Sequence, residues 1–179
     1  MWKHILQRYW KVTTLKESPA QTPYSLYLLV ILSLLFFIVV SVQWSLVAPK
    51  KQAFQIPFLA AAILLGTYFI YTLFLLYLAG KSERLVQTVS SLYVTYLIIH
   101  LLAFPLIFFS QIMLGEQINN LLMLLLLLIY LVAALFLTGW QFLVTANIYR
   151  HALDLSFVNG ILACLGLMAF SLLTLSFIR

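Results

Sequence analysis

The sequence predicts an all-α integral membrane protein, a bundle of five transmembrane helices preceded by a short interfacial amphipathic helix. Three observations carry this expectation. Of the 179 residues, 65% are hydrophobic and 8% are charged, against roughly 45–50% and 25% in soluble proteins. A small soluble domain has too much surface to cover with so few charges, and a disordered chain has the opposite composition. Apolar runs of the roughly 20 residues needed to cross a hydrocarbon core occur five times. These runs also lack the two-residue alternation of a barrel strand. Positions 121–128 are apolar at nearly every place, which suits a helix that closes its own backbone hydrogen bonds in lipid.

Residues 1–23 form the first unit, a cytoplasmic interfacial segment. Positions 2–16 read WKHILQRYWKVTTLK. Trp2, Leu6, Tyr9 or Trp10, and Thr13 fall at helical spacing, while Lys3, Gln7, Arg8, Lys11 and Lys16 supply polarity. Aromatic and basic residues in this pattern suit a helix lying in a membrane interface. Each basic residue near an anionic leaflet adds roughly 1 kcal/mol. The segment is an anchor or a docking surface for a lipid or partner. Pro19 and Pro23 end the helix before the first span.

Residues 24–179 form the second unit, with spans at about 24–47, 57–79, 86–114, 121–147 and 157–178. The links between them are under ten residues, so none holds a soluble domain. The first span is too long and starts too late for a cleaved signal peptide. Gln43 and Trp44 after its run look like an interfacial end. The 29-residue third span is roughly 43 Å long and carries Pro105; a kink, a tilt or an extension into water must absorb the excess. The fifth span carries Gly160, Ala163, Cys164, Gly166 and Ala169. Such small residues allow close helix approach, and Ala60–Ala62 with Gly66 on the second span is the expected partner surface.

A cytoplasmic N-terminus puts Lys3, Arg8, Lys11, Lys16, Lys81, Arg84 and Arg150 on one side, and Lys50, Lys51 and Arg179 on the other. Seven against three favours N-in and C-out by the positive-inside rule. The net charge of +6 is then a topology signal and gives no support for nucleic-acid binding.

Polar groups inside a membrane are costly and usually have a reason. His100 lies near the middle of the third span, where one polar partner on another helix would satisfy it. The acidic residues Glu17, Glu83, Glu116 and Asp154 all fall at or beyond span ends, against a proton-coupled pump. The strongest cluster falls at the expected cytoplasmic face. Arg84, Gln87, Thr88, Ser91 and Thr95 share a stripe entering the third span, and Trp140, Asn147, Arg150 and His151 gather toward the end of the fourth. Arginine suits bidentate contact with phosphate or carboxylate, so Arg84, Gln87, Thr88, Asn147, Arg150 and His151 are the candidate partner or headgroup contacts. Asp154 follows Arg150 by four, the spacing of a weak surface pair.

The chain has no HExxH, no GxSxG, no Gly-rich phosphate loop and no paired carboxylates. His4, His100 and His151 fall at three expected depths, too far apart for one metal or haem site. The expectation is a non-enzymatic protein with no catalytic residue, cofactor or metal site.

Five closely spaced spans, Arg84-x-x-Gln87-Thr88 entering a span that runs on to Leu102-Ala103-Phe104-Pro105, and Trp140 to Asn147-x-x-Arg150-His151-Ala152-Leu153 resemble the Yip1-like membrane proteins. The second stretch also resembles small bacterial membrane proteins of similar layout. In eukaryotes the family is associated with vesicle traffic and small GTPases. Only 23 residues precede the first span here, against a long cytoplasmic region in those members, so the resemblance implies a fold more than an activity. The function expected is a scaffold or accessory subunit of a bacterial inner-membrane system. Its partners would be the bilayer and another membrane protein or a second copy. Two alternatives stand beside it. One is a small-molecule or lipid transporter component, which needs a polar cavity lined by His100, Thr95, Gln141 and Thr145. The other is a membrane enzyme acting on lipid headgroups through Arg84, Arg150 and His151.

Overall fold

The computed structural model describes residues 2–47, 55–113 and 121–177, with the side chains of residues 2, 3 and 111–113 left aside. Trp2 and Lys3 as side chains, Lys50, Lys51, Glu116 and Arg179, and the 115–120 link lie outside the described residues. Among the described residues there are six α-helices and no strand. They are α1 (Trp2–Thr13), α2 (Leu26–Val47), α3 (Gln55–Leu78), α4 (Leu85–Met113), α5 (Leu121–Leu153) and α6 (Phe157–Ser176). The last five are long and apolar enough to cross a membrane. Short 3-10 turns at Pro19–Gln21 and Ser82–Arg84 lead toward α2 and into α4.

The five long helices close a ring in the order α2, α3, α6, α5, α4, with α1 laid against α4 and α5. α2 and α4 run parallel. Phe36 stacks on Tyr93 and Gln43 meets His100, both pairs 57 positions apart. α3 and α5 run the other way. The ring's centre is aromatic. Tyr68 stacks on Tyr96 with centroids 4.7 Å apart, beside the Phe36–Tyr93 stack at 5.4 Å. Tyrosine hydroxyls this deep need partners. Tyr93 donates to the Leu65 carbonyl at 2.9 Å, Thr145 donates to the Tyr96 hydroxyl at 3.1 Å, and Thr72 and Tyr149 share a bond of 2.9 Å.

In lipid, apolar surface gives helices no hydrophobic reason to associate. Packing and interhelical hydrogen bonds of roughly 0.6–2 kcal/mol each hold them together. Here those bonds tie α4 to α3 and α5, and α3 to α5. Tyr71 adds a tie from α3 to the Ala163 carbonyl of α6 at 2.8 Å, and Thr67 meets Thr174 at 3.0 Å.

Several expectations change. The fourth span's helix continues to Leu153, because the lysine and arginine described below cap its end there. The expected α3–α6 contact forms, but Gly66 does not make it, since a Cβ there would meet nothing within 4 Å. Thr67 and Tyr71 make it instead, with the Tyr71 hydroxyl seated over Gly166. Gly160 faces α5, where a Cβ would lie 2.8 Å from the Ala146 carbonyl. Helix α4 runs unbroken through Pro105.

Gln43 is 5% exposed and turns inside the ring. Helix α1 stops at Thr13, and Leu15 takes a left-handed φ of 64°. Lys16 N–H bonds to the Lys11 carbonyl and Leu15 N–H to the Val12 carbonyl. This C-terminal cap, not Pro19, ends the helix.

Candidate functional site

The candidate residues gather at the end of the bundle where α2, α4 and α6 begin. The α3–α4 link caps α5. Gly80, at φ 67°, closes α3 with Lys81 N–H on the Leu76 carbonyl. This turn aims Lys81 at the end of α5, where its Nζ donates to the Leu153 carbonyl at 2.7 Å and to Asp154 Oδ2 at 2.6 Å. Arg84 donates to the His151 and Ala152 carbonyls at 3.3 and 3.2 Å and to Asp154 Oδ2 at 3.0 Å. The last carbonyls of a helix have no partner inside it, and two cations at the negative end of the helix dipole satisfy them. Asp154 sits at φ 52°, a region that costs most side chains roughly 1–2 kcal/mol. Hydrogen bonds from Lys81 and then Arg84 hold its carboxyl below the usual value.

Arg84 is therefore engaged through Nη1 with the end of α5. Asp154 pairs with Lys81 and Arg84, not with Arg150 as the i to i+4 spacing suggested. Arg150 leaves α5 on its α6 side, its Cβ facing Gly160, and is exposed. Arg84 turns to the end of α5 and Arg150 toward α6. His151 donates from Nδ1 to the Asn147 carbonyl of its own helix at 2.9 Å, and Thr88 donates to the Arg84 carbonyl of its own helix at 2.8 Å.

The polar stripe of α4 is covered by the N-terminal segment. Gln87 donates from Nε2 to the Ala20 and Thr22 carbonyls at 3.2 and 2.9 Å. Thr95 meets Thr13 across 3.3 Å, and Trp140 of α5 donates to the Thr13 carbonyl at 2.9 Å. Tyr9, Val12 and Thr13 are 3%, 1% and 0% exposed. The expected apolar stripe of α1 thus splits, with Tyr9 and Thr13 turned into the α4–α5 groove and Leu6 and Trp10 turned out. Steps of 100° per residue put 5, 9, 12 and 13 on one face and 6 and 10 on the next. The Tyr9 hydroxyl faces Ser90 and Thr22 but makes no well-formed bond. Ser90 and Ser91 are likewise buried without partners.

The polar residues expected to line one transport cavity separate into three places. His100 pairs with Gln43, Thr95 faces α1, and Gln141 with Thr145 lines a cavity of about 60 Å³ beside Tyr96 and Cys164. Gln43 Nε2 donates to the His100 carbonyl at 2.6 Å, which leaves Oε1 to accept from His100 Nδ1 at 2.6 Å. The proton is thereby assigned to Nδ1.

Lys81, Gln43 and Thr13 are contributors absent from the candidate residues, and Asp154 was given a different partner. A lysine just after a glycine turn was the available signal for the first. The remainder depend on which helices neighbour one another. Compared with family models, curated proteins and solved structures, the chain matches none.

Proposed function

We propose that the protein is a non-enzymatic scaffold or accessory subunit of a membrane system, with the N-terminus on the cytoplasmic side of a bacterial inner membrane. One observation carries the reading. The most apolar of the five span windows among the described residues, 18 residues of α5 with mean hydropathy 2.9, has none of its residues buried. The corresponding windows of the other four spans are 22–39% buried. At 33 residues, α5 is roughly 50 Å long against a hydrocarbon core of about 30 Å.

The registers show why so little of this window is buried. The 57-residue offset sets Val47, where described α2 ends, level with Phe104, and α4 continues to Met113. The far halves of α4 and α5, paired through Phe109 and Tyr130 at 5.9 Å, extend beyond the closed ring. A second membrane protein, or a second copy, fits beside this hairpin. The polar side chains support the same reading, since they are spent tying helices together. So does the resemblance to the Yip1-like layout.

The test is mild solubilisation from the native membrane, affinity capture and mass spectrometry. A stoichiometric partner that is lost on Leu128→Trp/Val132→Trp substitution supports the reading. A lone monomer at native expression removes it.

A further inference from the structure

The polar face of α1 forms one wall of an open groove of about 410 Å³, lined by His4, Gln7, Arg8, Lys11, Glu17 and Gln21. That size lies in the usual range for a small-molecule site, roughly 300–1,000 Å³. Arg8 donates to the Gln21 carbonyl at 2.5 Å, and Lys11 donates to Glu17 at 2.6 Å. These bonds orient both cations and leave most of their donors free, since a guanidinium has five N–H groups and an ammonium three. Glu17 is the one carboxylate in the groove, and Lys11 engages it.

A second groove lies on α5. It has about 390 Å³ and is lined by Leu135, Phe136, Gly139, Trp140 and Leu143, all apolar but for the glycine. Gly139 is its notch, because a Cβ there would meet nothing within 4 Å. The two grooves are joined by a hydrogen bond, Trp140 Nε1 to the Thr13 carbonyl at the end of α1. Arg8 and Thr13 are five residues apart, roughly 8 Å along the helix axis. Between the grooves α1 presents Leu6 and Trp10, 66% and 52% exposed.

A polar basic groove that leads through an apolar helix face into an apolar slot matches one class of ligand. We propose that α1 and α5 together hold one anionic phospholipid of the adjoining leaflet. Arg8 and Lys11 take its phosphate and the Trp140–Gly139 slot takes an acyl chain. The assignment is independent of the scaffold reading, because it needs no protein partner.

Native mass spectrometry of the full chain in a delipidating detergent tests it, titrated with phosphatidylglycerol, phosphatidylcholine, the dihexanoyl forms of both, and inorganic phosphate. One phosphatidylglycerol is expected to bind saturably, at least tenfold tighter than phosphatidylcholine. Gln7→Glu adds a carboxylate to the groove without touching the buried face of α1, and it should weaken phosphatidylglycerol at least tenfold. Gly139→Leu fills the slot, and it should weaken long-chain phosphatidylglycerol while leaving the dihexanoyl form unchanged.

Equal binding of the two headgroups, or full binding by Gln7→Glu, overturns the phosphate assignment. Competition by inorganic phosphate at the same concentration as lipid makes this a free-anion site and overturns the lipid. An unaltered Gly139→Leu overturns the acyl slot. Circular dichroism and gel filtration of each variant establish that it is folded.

Discussion

Inside the membrane, His100 and Gln43 solve one another's problem. Each is a polar side chain in a low-dielectric setting, and two bonds of 2.6 Å staple α2 to α4. Gln43→Leu should cost about 1–2 kcal/mol, measured by reversible unfolding in mixed micelles, because it strands the Nδ1 proton. Adding His100→Leu should recover part of that loss, since no polar group is then left unpaired. Strictly additive losses would mean the pair is incidental. Glycines divide just as sharply. Gly160→Ala puts a Cβ 2.8 Å from the Ala146 backbone oxygen and should destabilise by about 1–3 kcal/mol. Gly66→Ala meets open space and should be neutral or stabilising by up to about 1 kcal/mol, the helix-propensity difference.

At the scale of elements, two junctions hold the N-terminal end of the bundle together. One is the capping of α5 by Lys81 and Arg84 through Asp154. A carboxyl held below its ordinary value of 3.8 contributes stability above that value and loses it as the pH falls through the depressed one. The thermal midpoint of the wild type should therefore drop on acidification below about pH 4. Asp154→Asn should lack that part of the drop while keeping a residue that tolerates positive φ. High salt should shrink the difference, because the pair is exposed and screened. The other junction is α1 in the α4–α5 groove. Trp140→Phe removes the bond to the Thr13 carbonyl and should speed proteolytic nicking between residues 14 and 18, the turn that follows α1. Cleavage at the wild-type rate would show that burial of Tyr9 and Val12 holds the helix unaided.

For the molecule as a whole, five spans put the two ends of the bundle on opposite faces. The 3-10 turn at Ser82 and the helix start at Ser156 share the N-terminal side. Single cysteines at Ser82 and Ser156 should react with an impermeant maleimide from the same face as an N-terminal tag. The native Cys164 is 1% exposed and should stay silent. Labelling of the two positions from opposite faces would break the five-span arrangement. The ring also explains how a chain with few charges stays specific. Its centre holds four tyrosines whose hydroxyl and ring contacts are directional, whereas an all-leucine centre would leave helix rotation unspecified.

Fold class was legible because a lipid solvent imposes one local rule on every span, about 20 apolar residues with closed backbone bonds. That rule needs no knowledge of neighbours, and it placed all five helices. Helix α1 was legible by a different signal, the helical spacing of its aromatic and basic residues. The partners of individual side chains were a different matter. Arg84 reads the same in sequence whether it faces a phosphate or the end of α5, and Gln43 the same whether it faces water or His100. Asp154 lies four residues from Arg150 and 70 or more from Arg84 and Lys81, yet it pairs with the distant two. Helical spacing orders contacts within one helix only. Which helix stands beside which, and at what offset, is settled by close packing of large and small side chains around a ring, and that arrangement exists only in three dimensions.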